Sequence, residues 1–152
     1  MKKTCLLAIV ASVALSLVLA ACTSGGGSTG ASTIEELSAS VVKVSLDSTS
    51  DTIEVGVTIN DGESFAVASK LDSGEAEIVS KLPEGESSDY AYEGCGASEI
   101  EVAPGTYAVT LKPNNASGVI YILSYPTGKL DFANTDTETL FDQVAEYASS
   151  AS

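Results

Sequence analysis

The residues able to do chemistry are few. The chain has no histidine, so no serine or cysteine can be activated by an imidazole, and nucleophilic catalysis on a histidine base is excluded. Ser40 and Lys43 have the S-x-x-K spacing in which a lysine serves a serine nucleophile. That motif belongs at the start of a helix, and here it runs into an alternating strand pattern. Cys95, in "EGCGAS", lies near Glu93 and Glu99, which raise a thiol pKa rather than lower it. It reads as a small, partly buried apolar residue. Carboxylates are abundant, 21 in all, so a pair at glycosidase separation carries no signal. Neither arginine nor histidine is present to tune such a pair, nor tryptophan to stack a sugar.

Two weaker constellations remain. Asp47-x-Thr49-x-Asp51 has the early spacing of a calcium loop, and Asp47 and Asp51 are its candidate ligands. The turn glycine is replaced by Thr52 and the late acid by Thr58. Tyr90 and Tyr92 alternate with Ala91 beside a long polar loop, where they could form an exposed aromatic pair for a glycan or small ligand, or plug an edge of the fold.

Charge narrows the partners. Residues 22–152 keep all 21 acids and five of the seven lysines (43, 70, 81, 112 and 129), a net charge of −16. Nucleic acid is excluded as a partner, because phosphate binding needs clustered positive charge. Divalent cations and basic polypeptides fit the charge, but a solvated acidic surface that maintains solubility is the preferred account of it.

The N-terminus carries an address. Lys2 and Lys3 precede an uncharged run to Cys22 of about 17 residues, short of the roughly 20 that a permanent membrane helix needs and suited to the hydrophobic part of a signal peptide. It ends in Leu19-Ala20-Ala21-Cys22, which resembles the lipobox of bacterial lipoproteins at every position. The resemblance implies a signal helix over residues 1–21, cleavage after Ala21 and a diacylglyceryl group on the Cys22 sulfur. Two acyl chains, at about 0.8 kcal/mol per buried methylene, anchor stably where one would be marginal. The implied location is the outer face of the bacterial cytoplasmic membrane, a Gram-positive cell being favoured, with periplasm or outer membrane the Gram-negative equivalents. The partners are then the membrane, through the anchor, and a surface protein or glycan. Cys5 leaves with the signal peptide and Cys22 carries lipid, so Cys95 is left alone and the mature domain has no internal disulfide. Beyond the lipid at Cys22, and Ca²⁺ if the Asp47 turn binds it, no cofactor is implied.

The elements that must position these residues are mostly strands. Residues 22–40 read as lipidated cysteine plus Gly/Ser-rich tether, with a helical turn suggested by Thr33 and Glu36. From residue 41 the period is two: Val42, Val44, Leu46; then Ile53, Val55, Val57, Ile59; then Phe65 and Val67; then Ile78 and Ser80; then Tyr107, Val109, Leu111. Asp61-Gly62 is a hairpin turn, and "LDSGE" and "PNNASG" read as further turns. "VIYILSY" is apolar on both faces, as a strand covered on both sides must be. Leu140, Phe141, Val144 and Tyr147 or Ala148 follow helical spacing, with Thr135 and Glu138 as a capping pair. The predicted fold is all-β: a sandwich, jelly-roll or immunoglobulin-like, of about seven to eight short strands over residues 41–152, with a short C-terminal amphipathic helix. The segment "IEVAPGTYAVTLKPNNASGVIYILSY" is similar to the closing hairpins of jelly-roll pre-peptidase C-terminal domains and carbohydrate-binding modules. The leading function is a non-catalytic envelope module that binds protein or builds structure. A carbohydrate- or small-ligand-binding module, with or without Ca²⁺ assistance, is the alternative.

Overall fold

A computed structural model of the chain describes residues 30–81 and 87–151, with side chains described outside 87–90. The expected signal helix, the cleavage and lipidation positions Ala21 and Cys22, and residues 22–29 of the expected tether lie outside the described residues.

Six strands form one antiparallel sheet: β1 (Ala31–Ser38), β2 (Val41–Thr49), β3 (Ile53–Ile59), β4 (Glu63–Lys81), β5 (Ser87–Ile100) and β6 (Gly105–Pro126). Helix α1 (Thr137–Ala151) closes the chain. The order is β1-β2-β6-β4-β5, with β3 on the other half of β6. The all-β fold with a C-terminal helix is as the sequence implies, but three strands are far longer than its short segments. "LDSGE" and "PNNASG" do not reverse the chain. β4 stays paired with β6 from Glu63↔Pro126 to Lys81↔Ala108, slipping register only between Leu71 and Glu75. β5 slips against β4 at the same level, and β2 against β6 between Leu46 and Thr49. These irregularities fall on one line, along which the sheet folds over. Bulges bend strands in this way without ending their pairing. The line gathers unusual backbone: Ser48 and Asn115 have φ of 51° and 47°, and Gly74 has φ of 72°.

Folding along this line makes a two-leaved β-sandwich. One leaf holds β1, β2, the first half of β4 and the second halves of β5 and β6. The other holds β3 and the remaining halves. The alternating apolar residues meet between the leaves: Val42, Val44, Phe65, Val67, Ile120 and Ile122 from one, and Val55, Val57, Ile78, Val109 and Leu111 from the other. Phe65 and Tyr107 stack across the interior with centroids 6.5 Å apart. Each such side chain, fully buried, stabilises the fold by about 1.5–3 kcal/mol before entropy is counted.

The first leaf is also covered outside, as the two-faced "VIYILSY" requires. Ala66 and Ala68 leave a shallow valley between larger residues. Leu140, Phe141, Val144 and Ala148 of α1 pack there with Val41, Tyr121, Leu123 and Tyr125. The helix begins one residue later than the Thr135 cap predicted. The Thr139 amide donates to Asp136 Oδ1 at 3.0 Å, and the Leu140 amide to the Asp136 carbonyl at 2.9 Å. A carboxylate at this position also meets the positive end of the helix dipole, which Thr135 would not exploit.

The expected tether, residues 22–40, overlaps a strand, and the helical turn expected there does not form. Residues 31–38 are an edge strand on β2, with a register shift between Glu36 and Ser38. Thr33 and Glu36, whose spacing suggested a capped helical turn, both lie in this strand, and Ile34 and Leu37, three apart, point to opposite faces of it. Ile34 packs on the inter-leaf core and Leu37 on the helix cluster. Lys43 Nζ bonds Glu35 Oε2 at 2.8 Å across the pair.

Candidate functional site

The leaves are joined at the end opposite the fold line, and this open end holds a cleft. The Asn60–Gly62 turn carries the chain from β3 into β4. The segment after Ile100 carries it back from β5 into β6. The β1–β2 turn is stitched beside them, with the Thr58 amide donating to the Ala39 carbonyl at 3.0 Å and the Ser40 hydroxyl to the Thr58 carbonyl at 2.9 Å. A cleft of about 520 Å³ opens here, lined by Glu63, Ser64, Glu99, Glu101, Val102 and Thr127.

Glu63 is the best-held carboxylate of those lining the cleft. Its Oε2 accepts from the Asn60 amide at 2.9 Å, from Asn60 Nδ2 at 3.0 Å and from the Ser124 hydroxyl. Partial burial works to raise its pKa. The bonds from Ser124 and Asn60 oppose that, and the net result lies below the ordinary glutamate value. Glu99 Oε1 accepts from the Tyr125 hydroxyl at 2.5 Å. Burial and then this bond push the Tyr125 phenol far above its ordinary range. Tyr147 of α1 is pushed up by burial and then by the charge of Glu63. Ser64 and Thr127 share a hydroxyl–hydroxyl bond of 3.0 Å on the rim, and the Thr127 amide donates to the Gly62 carbonyl at 3.1 Å. The ion pairs among the described residues, Lys43–Glu35 and Lys112–Glu77, involve none of the residues lining the cleft. The cleft is therefore a concave negative surface with no built-in cation, suited to ammonium groups. Glu63 is tuned away from proton transfer near neutrality, where a general acid or base needs a pKa close to the working pH.

The residues singled out from sequence lie elsewhere. Tyr92 is 5% exposed and belongs to the inter-leaf core, so it does not form an aromatic platform. Its ring fills the space a Cβ at Gly96 would need, coming within 2.5 Å of that position. Tyr90 pairs opposite Ile78, and its side chain lies outside the described residues. Asp47 and Asp51 do not curl into a calcium loop. Asp47 is held extended in β2 opposite Ala31, and the Asp51 amide donates to Thr49 Oγ1 at 3.2 Å as the chain leaves for β3. Among the described residues no three Cys, Asp or Glu side chains converge as metal ligands.

Ser40 and Lys43 are engaged in structure, with Thr58 and Glu35. Cys95 is a half-buried free thiol packed against the helix cluster. Burial raises its pKa first, then Glu138; Asp142 and Asp136 add to this and Lys70 opposes it. The helix acids thus act in the place of Glu93 and Glu99. The cleft itself was missed. In sequence, Glu99 and Glu101 alternate with Ile100 and Val102 as the polar face of a strand does, and no local pattern joins them to residues 63 and 127.

No family model matches the chain, and no curated protein matches it. Among solved structures the chain is similar to Lactobacillus farciminis oxalate decarboxylase in a formate complex. The identity is 13%, the TM-score 0.37, and the match covers 64% of this chain and 29% of that one. It is also similar to the Drosophila melanogaster CENP-C cupin domain, at 10% identity and a TM-score of 0.36, over 66% of this chain and 68% of that one. The chain spans under a third of the decarboxylase's length. Neither likeness bears on function.

Proposed function

We propose that the chain is a lipid-anchored, extracytoplasmic, non-catalytic module that binds a basic polypeptide through the acidic cleft at the open end. One observation carries the binding half: Glu63, Glu99 and Glu101 line a cleft that contains no lysine, and the hydrogen bonds to Glu63 keep it ionised. The lipobox "LAAC" and the charged, then apolar, stretch before it carry the anchoring half. The net charge of −16 over residues 22–152 steers a cationic partner toward the domain before it reaches the cleft.

The test uses full-length lipoprotein in detergent and a fluorescent lysine-rich peptide. Replacing Glu63, Glu99 and Glu101 together by glutamine removes three rim charges. At about 0.5–1 kcal/mol each, affinity falls by roughly tenfold or more. The control carries Asp47→Asn, Asp72→Asn and Glu75→Gln at the fold line, an equal change in charge. Loss confined to the cleft variant supports the reading, and equal loss in both refutes a defined site. Metabolic labelling with a fatty-acid analogue tests the anchor: label is lost in Cys22→Ala, and retention contradicts the anchor.

A further inference from the structure

The point where the chain enters the domain and the cleft lie at opposite ends of the first leaf. Gly30 sits against the backbone of Ser48 and Thr49, and Ala31 pairs with Asp47, so the domain is entered at the fold line. Along β6 the fold line is at Gly118 and the open end at Pro126, opposite Glu63. Eight residues at about 3.3 Å each make the leaf roughly 26 Å long.

We infer that the domain stands with its fold line toward the membrane and its cleft outward, so that the basic partner is met from the aqueous side rather than alongside the lipid. This rests on the anchor proposed at Cys22. Eight steps separate Cys22 from Gly30, and at 3.3–3.6 Å per residue they reach at most about 29 Å. In the inverted orientation that segment must run back along the whole leaf and has only a few ångströms left over. The open end would then be pressed onto the headgroups, with Glu63, Glu99 and Glu101 against anionic lipid. Within a Debye length, about 8 Å at physiological salt, that contact is repulsive. The upright orientation uses the same segment as a spacer. It holds the exposed acids of the fold line, Asp47, Asp72, Glu75 and Glu93, off the surface.

Energy transfer to the membrane tests this. In lipidated full-length protein carrying Cys95→Ser, a donor dye is placed at the fold line by Asp72→Cys or at the open end by Asp61→Cys. Both positions are exposed and outside the cleft lining. The protein is reconstituted in phosphatidylglycerol vesicles with acceptor-labelled headgroups. Upright standing gives stronger transfer from position 72 than from position 61, and a second pair, Glu75→Cys and Ala103→Cys, repeats the order. Equal or reversed transfer in vesicle-bound protein overturns the orientation while leaving the anchor intact. Failure of the protein to float with vesicles overturns the anchor, and the orientation with it.

Discussion

Replacing Gly74 by alanine tests whether β4 and β6 run unbroken across the fold line. Gly74 has φ of +72° and sits where the two strands slip register between Ser73 and Glu75. A Cβ there would fall inside contact distance of the Asn115 carbonyl oxygen and 2.6 Å from that of Asn114. Left-handed backbone costs an alanine about 1–2 kcal/mol. Crowding against backbone that cannot swing aside adds about 1–3 kcal/mol. Reduced freedom of the unfolded chain offsets about 0.4–1 kcal/mol. The net loss is roughly 2–4 kcal/mol. Gly62→Ala isolates the first effect, because Gly62 has φ of +80° with nothing within 4 Å of the added Cβ. Its net loss is about 1 kcal/mol or less. With a urea slope of about 1–3 kcal/mol/M, Gly74→Ala unfolds at a midpoint roughly 1 M below Gly62→Ala. Equal midpoints would refute the close approach of β4 and β6, and with it the folded sheet in place of separate hairpins.

Tyr92→Ala opens a cavity in the inter-leaf core and costs about 3 kcal/mol or more, read by urea unfolding; a surface ligand residue would cost almost nothing. Val144, 0% exposed, holds α1 in its valley. Val144→Ala removes two methylene equivalents and leaves a cavity, about 2 kcal/mol in all, read by the same unfolding curve. Stability also falls with acid. Glu63 has a folded pKa below its unfolded value, so its contribution is complete above the unfolded value of about 4.3 and is lost as pH falls through the lowered folded value. Ser124→Ala removes one of its donors, so the variant loses less stability than wild type between neutral pH and about pH 3. An unchanged acid limb would show that the Ser124–Glu63 bond does not hold the charge.

The inward faces of β2, β3, β4 and the first half of β6 were legible, because alternation survives bending: Val42 to Leu46, Ile53 to Ile59 and Tyr107 to Leu111 are buried as their spacing requires. The fold line was not. A bulge and a hairpin turn draw on the same residues, and Gly74 and Asn115 serve either. Only the pairing partner, sometimes tens of residues away, decides whether the chain reverses or bends. β1 was hidden for a related reason. Thr33 and Glu36 have the spacing of a capping box, while Ile34 and Leu37 answer to different clusters on opposite faces, so the segment shows no alternation that marks a strand. The cleft could not be read at all, since its residues come from the start of β4, the end of β5 and two connections that meet only in the folded sheet. The Leu19-Ala20-Ala21-Cys22 stretch, by contrast, is contiguous in the chain, and its resemblance to a lipobox draws on no fold.

Amide chemical-shift mapping tests the binding site most directly. Isotope-labelled protein is titrated with the lysine-rich peptide. Shifts concentrated at Glu63, Ser64, Glu99, Glu101, Val102 and Thr127, and absent from the cleft variant, are the predicted result. Shifts spread over the acids of both ends, or gathered at Asp47, Asp72 and Glu75, would contradict it and leave the cleft without a role in binding.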